Sequence, residues 1–502
     1  MRTFPENVKP GNKATLASLI YGNRFHADQT LAEYLIEFLL IFCAEKNRNG
    51  KGRLVFHDPD SREELSYIVE PRMGLKRFIF FDKSKRNDSA PVDKMAYQEL
   101  LTAVLNKIDD EEISEKEEFL ESLQDLFHGY AVVIRKRSWC AQAMLPICPE
   151  VIFCEAMPKK KERSALDWDK IRNDPSQKKK IDTEFDFDKR NFLARGGELY
   201  YLHILQGLQG QQKKQAKLEW LLNYLLTEQG KKMSNIASFI QNTWEEAMDY
   251  DESPKQQLHL AYIPEQAYQS IASYSVDELI SFLSCNMHPI KKLELLSKGI
   301  VLQVMRMLAV AATTYTDSPR EGWIIDMKGS TEDIIKKIAA AGFQKVENTF
   351  VTALGQQSIQ MASDDIERRM QEFRKARKDS LEIFRSKGKE LQCIIPATGP
   401  YERFSLPEDI IRFLALAIIR PGKKMTIDMF LSKLYDHYGI VIGPVEYKQL
   451  ASEYNDSLAN SFVENKRAFQ DFLKATGFLR ELSDATSIVI NPYEGIEGDE
   501  EP

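Results

Sequence analysis

Asp326, Met327 and Lys328 follow the apolar run Trp323-Ile324-Ile325. An acid-x-Lys at the end of a strand can hold a divalent metal and orient water, which is nuclease chemistry. That chemistry needs a further carboxylate at the same metal, and none is evident on a neighbouring strand-like run. The plainer reading is a salt bridge that closes the strand. Arg195, Gly196 and Gly197 are a second opportunity. Two glycines ahead of a helix expose backbone N–H groups, and Arg195 adds charge, so an anion could sit there. Glu198 already complements the dipole of that helix, and a tight helix start explains the same residues. Beyond these two places the chemistry is sparse. GxxxxGK[ST], GxSxG, HExxH and GxGxxG are all missing, and Gly50-Lys51-Gly52 is a turn without a phosphate loop. No two of the seven histidines stand at metal-ligand spacing, and none of the six cysteines forms a CxxC pair. Cys140, Cys148 and Cys154 cluster at a spacing that fits no metal motif. No catalytic residue, metal or cofactor is therefore assigned.

Charge gives the stronger signal. Arg368 to Lys389 carries nine basic residues against three acids, on a chain with a net charge of -7. Ile366, Met370, Phe373, Leu381 and Phe384 keep near-helical spacing, so one face can pack while the other stays charged. Arg374, Lys375, Arg377 and Lys378 are the candidate phosphate contacts, because such a face can release counterions from a nucleic acid. The plainer reading, which comes first, is a solvated surface helix near the acidic tail or an acidic partner. A second basic stretch, residues 158–180, holds nine basic residues against four acids, with few apolar ones. This segment is read as a linker or an exposed excursion.

The elements that would position these groups divide the chain. Residues 1–157 read as a mixed α/β unit. It has a helix from Asp28, strand-like runs at Arg53 to Phe56, Ser66 to Val69 and Arg77 to Phe81, a helix from Val92 to Ile108, and a strand after Tyr130. Residues 158–189 form the basic linker. Residues 190–390 are a helical domain ending in the basic helix. Residues 391–495 resemble a winged-helix module. Thr426 caps a helix whose inner face is Ile427, Phe430, Leu431, Leu434 and Tyr438, and Gly439 ends it. A third helix carries Phe462, Phe469, Phe472 and Leu473, and a hairpin follows Gly477. The exposed side of that third helix offers Asn465, Lys466, Arg467 and Lys474. Lys466 and Arg467 are its candidate DNA contacts. The module holds eleven Lys/Arg against twelve Asp/Glu over Tyr401 to Pro492, a balance that favours protein docking over DNA reading. Residues 496–502 form an acidic tail. The expected fold class is mostly α (α+β), in several domains.

The 502 residues include 68 Lys/Arg and 75 Asp/Glu, which excludes a uniformly basic nucleic-acid coat. Apolar residues make up 43%, enough for ordinary cores. No apolar segment is read as crossing a membrane, and the N-terminus lacks a secretory h-region, so a cytoplasmic protein is expected.

Three phrases, RSWCAQAMLP (Arg137 to Pro146), RNFLARGGELYYLHIL (Arg190 to Leu205) and RFLALAIIRPGKKMTIDMFLSKLYDHYGIVIG (Arg412 to Gly443), resemble accessory proteins of bacterial anti-phage defence operons. The resemblance implies a non-ATPase assembly or DNA-sensing subunit whose partners are proteins of the same operon, with DNA as a further partner. It carries over no functional residue. The expected function is a non-catalytic subunit of a DNA-acting complex. The alternative is a metal-dependent nuclease around Asp326 and Lys328.

Overall fold

The computed structural model describes residues 2–6, 8, 15–22, 27–46, 52–61, 63–83, 91–108, 115–133, 137–159, 167–187, 195–250, 254–316, 321–327, 334–360, 366–451, 456–483 and 486–496. It is 64% helix and 10% strand, which makes the fold mostly α. The first part runs β1 (Thr3–Phe4), α1 (Leu16–Tyr21), α2 (Leu31–Cys43), β2 (Ser66–Val69), α3 (Met73–Phe80), α4 (Pro91–Lys107), α5 (Lys116–His128), β3 (Ala131–Val133), β4 (Ala143–Met144) and β5 (Met157–Pro158). Three short helices follow, α6 (Trp168–Asn173), α7 (Pro175–Lys178) and α8 (Lys180–Thr183), then β6 (Phe185–Asp186). The middle contains α9 (Gly196–Gly207), α10 (Gln212–Asn223), α11 (Lys231–Ala247), β7 (Gln256–His259), β8 (Ile263–Pro264), α12 (Glu265–Leu283), α13 (Pro289–Thr314), β9 (Trp323–Ile324), α14 (Ile334–Gln360) and α15 (Ile366–Glu390). The last part is β10 (Ile394–Ile395), β11 (Arg403–Phe404), α16 (Glu408–Ile418), β12 (Lys424–Thr426), α17 (Ile427–Tyr438), β13 (Ile440–Val441), α18 (Pro444–Leu450), α19 (Asp456–Ala475), β14 (Leu479–Ser483) and β15 (Thr486–Ile490).

The core is organised around α13, which packs against α2, α12, α14, α15 and α16. Its apolar residues run round the whole helix, from Leu293 through Ile300, Val304 and Leu308 to Ala312, and all of these are buried. A helix apolar on every side must be covered on every side. This helix has the length and composition to span a membrane, but 78% of its most apolar window is covered by the rest of the chain. The strands are short and join distant segments. β1 pairs with β8, β2 with β7, and β9 lies parallel to β13 through Trp323 N–H to Gly439 O at 2.7 Å. These pairs cross each of the boundaries at 157, 189 and 390 drawn from the sequence.

In the last part, Thr426 Oγ1 accepts from Met429 N–H, and Gly439 takes the left-handed conformation at φ 73° that ends α17. β12, β15 and β14 form one three-stranded antiparallel sheet in that order. Leu431 and Phe469 are buried as expected. α16 buries its apolar face on α12 and α13.

Several elements differ from the sequence reading. Arg53 to Phe56 is a turn, with Leu54 at φ 56°. Arg77 to Phe81 belongs to the end of helix α3. A short apolar run cannot by itself separate a buried strand from a buried helix turn. Arg77 supplies the reason for a helix here. Its guanidinium is fully buried, bonded to Asp182 (2.7 Å) and Asp93 (3.0 Å), and flanked by the rings of Trp139 and Trp244. Trp244 Nε1 donates to the second oxygen of Asp182 at 2.7 Å. The basic stretch is therefore not exposed throughout: Ile171, Ile181 and Asp182 are core residues. The acidic residues after Ile496 lie outside the described residues.

A second buried ionic cluster joins α12, α13 and α17. Arg306 donates to both oxygens of Glu278, at 3.1 Å each, and to Ser275 Oγ at 2.7 Å. Glu278 also accepts from Gln303 (2.5 Å) and Tyr438 (2.8 Å) and bonds His437 Nδ1 (2.7 Å). Burial alone would raise the Glu278 carboxyl. Arg306 and the His437 bond outweigh burial and hold it down at about 2 against an ordinary 4.5. A depressed folded pKa means that this stabilisation is complete above about pH 4.5 and is lost as the pH falls towards 2. Replacing Arg306 with Met leaves the carboxylate without its counter-charge. We expect a loss of about 3–5 kcal/mol in urea melts at neutral pH. The acid-side decline between pH 4.5 and 2 should disappear in that variant. Retention of both stability and decline would show that the pair does not hold these helices together.

Candidate nucleic-acid interface

α15 is amphipathic because its apolar residues recur every three or four positions. Ala376, Ser380, Ile383 and Phe384 face the core. The helix uses its cations in two ways. Towards its C-terminal end, Arg385 binds Glu347 (Nη2 to Oε2, 2.6 Å) and Glu402, and Lys389 binds Glu402. Lys387 is buried and donates to Gln29 O and to Glu390 (2.6 Å). These three fasten the helix to the body. Arg374, Lys375, Arg377 and Lys378 are exposed and make no ion pair with a described residue. They occupy the arc opposite the packed face. Arg374, Arg377 and Lys378 also line a shallow depression along the helix with Leu381 and Glu382. Four uncommitted cations on one rigid helix face can meet a row of phosphates.

The corresponding face of α19 is less free than its sequence implies. Asn465 is buried. Its amide donates to Ile325 O and Ile442 O, each at 2.9 Å, and its oxygen accepts from Met327 N–H at 2.8 Å. This corrects its placement on the exposed side. The signal was present, since Asn465 lies three residues after Phe462 and four before Phe469, on the apolar stripe itself. Lys466 is half-buried and paired with Asp428 on α17, and Lys474 is paired with Glu481 at 2.7 Å. Arg467 is exposed.

Asp326 is 6% exposed and paired with Arg403 through Oδ2 at 3.3 Å. Arg403 sits on β11, beside the strand that Asp326 follows. Lys328 lies outside the described residues. No group of three potential metal-ligating side chains occurs among the described residues. At Arg195-Gly196-Gly197 an anion is indeed bound, and it is the protein's own. Glu37 of α2 accepts from Arg195 N–H (3.1 Å) and Gly197 N–H (2.9 Å), and Gln29 Oε1 accepts from Gly196 N–H (3.0 Å). The glycines allow α2 this close. A Cβ on Gly197 would lie 2.3 Å from Tyr34 O, and one on Gly196 2.2 Å from the Tyr34 ring. The cysteine cluster has a similar explanation: buried Lys76 donates to Cys140 O (2.6 Å) and Cys154 O (2.9 Å), and all three thiols are in the core.

No known protein-family model matches this chain, and no curated protein matches it.

Gly197→Ala should destabilise the fold by about 1–3 kcal/mol or more, since the obstructing atoms are backbone and cannot swing aside. Lys466→Ala with Arg467→Ala should stay within about 0.5–1 kcal/mol of the wild type, as expected for exposed or half-exposed ions. Chemical denaturation of the two variants side by side checks the contrast. Equal losses would contradict it.

Proposed function

We propose that this chain is a non-catalytic assembly or DNA-sensing subunit of a DNA-acting complex, contacting the phosphate backbone through α15. The observation that carries the proposal is the division of labour along α15. Arg385, Lys387 and Lys389 are each paired with an acid of the chain, whereas Arg374, Lys375, Arg377 and Lys378 project into solvent without a described counter-charge. The reading agrees with the resemblance to accessory subunits of bacterial anti-phage operons, which implies cytoplasmic protein partners from the same operon. Asp326, held by Arg403, supports a non-catalytic role over a nuclease.

We read the last part as a winged-helix-like module. Its order of α16, β12, α17, α18, α19 and the β14–β15 hairpin supports that reading. In such a module α19 would be the helix offered to a partner. The pairing of Lys466 and Lys474 with acids of the module, together with exposed Met429, Val445 and Val463 on α17, α18 and α19, favours a protein partner over base reading.

Duplex DNA binding should fall steeply with salt, with a log–log slope of about -3 to -4 if four phosphates are met. Changing Arg374, Lys375, Arg377 and Lys378 together to Glu should abolish the gel shift while leaving the thermal midpoint nearly unchanged. Unchanged affinity in that folded variant would contradict the proposal.

A further inference from the structure

We propose that the tip formed by the end of α14 and the start of α15 docks a second copy of this chain, through the exposed face of that copy's α5. The apolar stripe of α15 continues into its first turns, where the rest of the chain no longer covers it. Ile359 on α14 and Ile366 and Met370 on α15 are 74%, 67% and 49% exposed. With Gly355 and Phe373 they line a shallow groove of about 390 Å³. Exposed apolar side chains gathered in one patch and bordered by charge mark a protein contact. Phosphates make no use of such a groove. The DNA reading of α15 therefore leaves the tip unexplained, and the present inference stands whether or not that reading does.

The occupant is argued from complementarity. On α5, Phe119 and Leu126 are 43% and 45% exposed. They stand two helical turns apart on one line of the helix, the spacing of anchors that a helix sets into an apolar groove. Glu115, Glu118 and Asp125 lie beside that line. Asp125 pairs with Lys83. Glu115 and Glu118 have each other instead: a hydrogen bond from Glu115 raises the Glu118 carboxyl, and neither makes an ion pair with a described residue. Like charges held together are relieved by a cation from outside. Residues 115–128 hold five acids against one lysine, whereas residues 366–378 hold six basic residues against two acids. Each stretch is about 20 Å long as a helix, so the two match in length as well as in charge. The order of the residues sets the direction. Arg374 and Arg377 follow Met370 by one and two turns on the same face of α15. Laid antiparallel, Leu126 enters the groove at Ile366 and Met370 while Glu115 and Glu118 meet Arg374 and Arg377. Laid parallel, the two glutamates would fall on the apolar tip. Antiparallel packing also opposes the two helix dipoles favourably. Because the contact joins two different surfaces, the copies close as a mutual pair or extend head to tail.

The test is analytical ultracentrifugation of the full chain across a concentration series, at low and at moderate salt. The wild type should associate with rising concentration, and less so as salt screens the contact. Two variants reverse one side each: Glu115→Lys with Glu118→Lys on α5, and Arg374→Glu with Arg377→Glu on α15. Each alone should associate about tenfold more weakly or worse, since charge-assisted contacts become repulsions. Mixed in equal amounts, the two variants should associate with each other, because every contact between them is again between opposite charges. That rescue also shows that both variants are folded, and it requires the antiparallel arrangement. Leu126→Ser, with its thermal midpoint checked, should weaken association without any change of charge. The α5 variant keeps all four α15 cations, so its DNA gel shift should be no weaker than that of the wild type. Loss of this contact and failure of the DNA reading are thereby distinguished. A wild type that stays monomeric at about 100 μM in low salt, or reversed variants that associate as the wild type does or fail to rescue each other, would overturn the proposal and leave the tip to a different partner.

Discussion

Arg306 and Glu278 form the contact on which the arrangement of the last hundred residues rests. Both lie in the middle of a helical core, far from water, and neither could stay charged there alone. Each is completed by groups from a different helix: Ser275 from α12, Gln303 from α13, His437 and Tyr438 from α17. The cluster therefore works as a registry device as well as a source of stability. It can be satisfied only when α17 lies at one height against α12 and α13. Once α17 is fixed, β13 follows at its end and pairs with β9, and that strand leads to Asp326 and its partner Arg403. The position of α19 follows in turn, because Asn465 bonds the backbone of both strands' extensions.

The same logic recurs elsewhere in the chain. Arg77 binds Asp93 and Asp182 between two tryptophan rings, and so draws a strongly basic segment back onto the first helices. Glu37 caps α9 from α2. In each case a buried charge is satisfied by partners distant in sequence. Cations used in this way are closed to ligands, which gives meaning to those placed where a ligand can reach them. On α15 four cations face solvent.

Local features were readable from the sequence because their causes are local. Thr426 and Gly439 mark the ends of α17, and Gly477 and the alternation after it mark the hairpin. The charged and apolar faces of α15 follow from spacing alone. The misreadings have the opposite origin. Arg77 to Phe81 carries an apolar run that suits a strand, and only the distant Asp182 and Trp244 make a helix necessary. The sequence exposes the potential anion site at Gly196 and Gly197, but not that Glu37, some 160 residues earlier, fills it.

Photo-crosslinking of the intact protein to duplex DNA, followed by mass spectrometry of the attached peptides, tests the central claim most directly. The account predicts crosslinks concentrated on the peptides spanning Arg374 to Lys378. Crosslinks confined to the α19 segment around Arg467, or none above the level of an unrelated acidic protein, would contradict it.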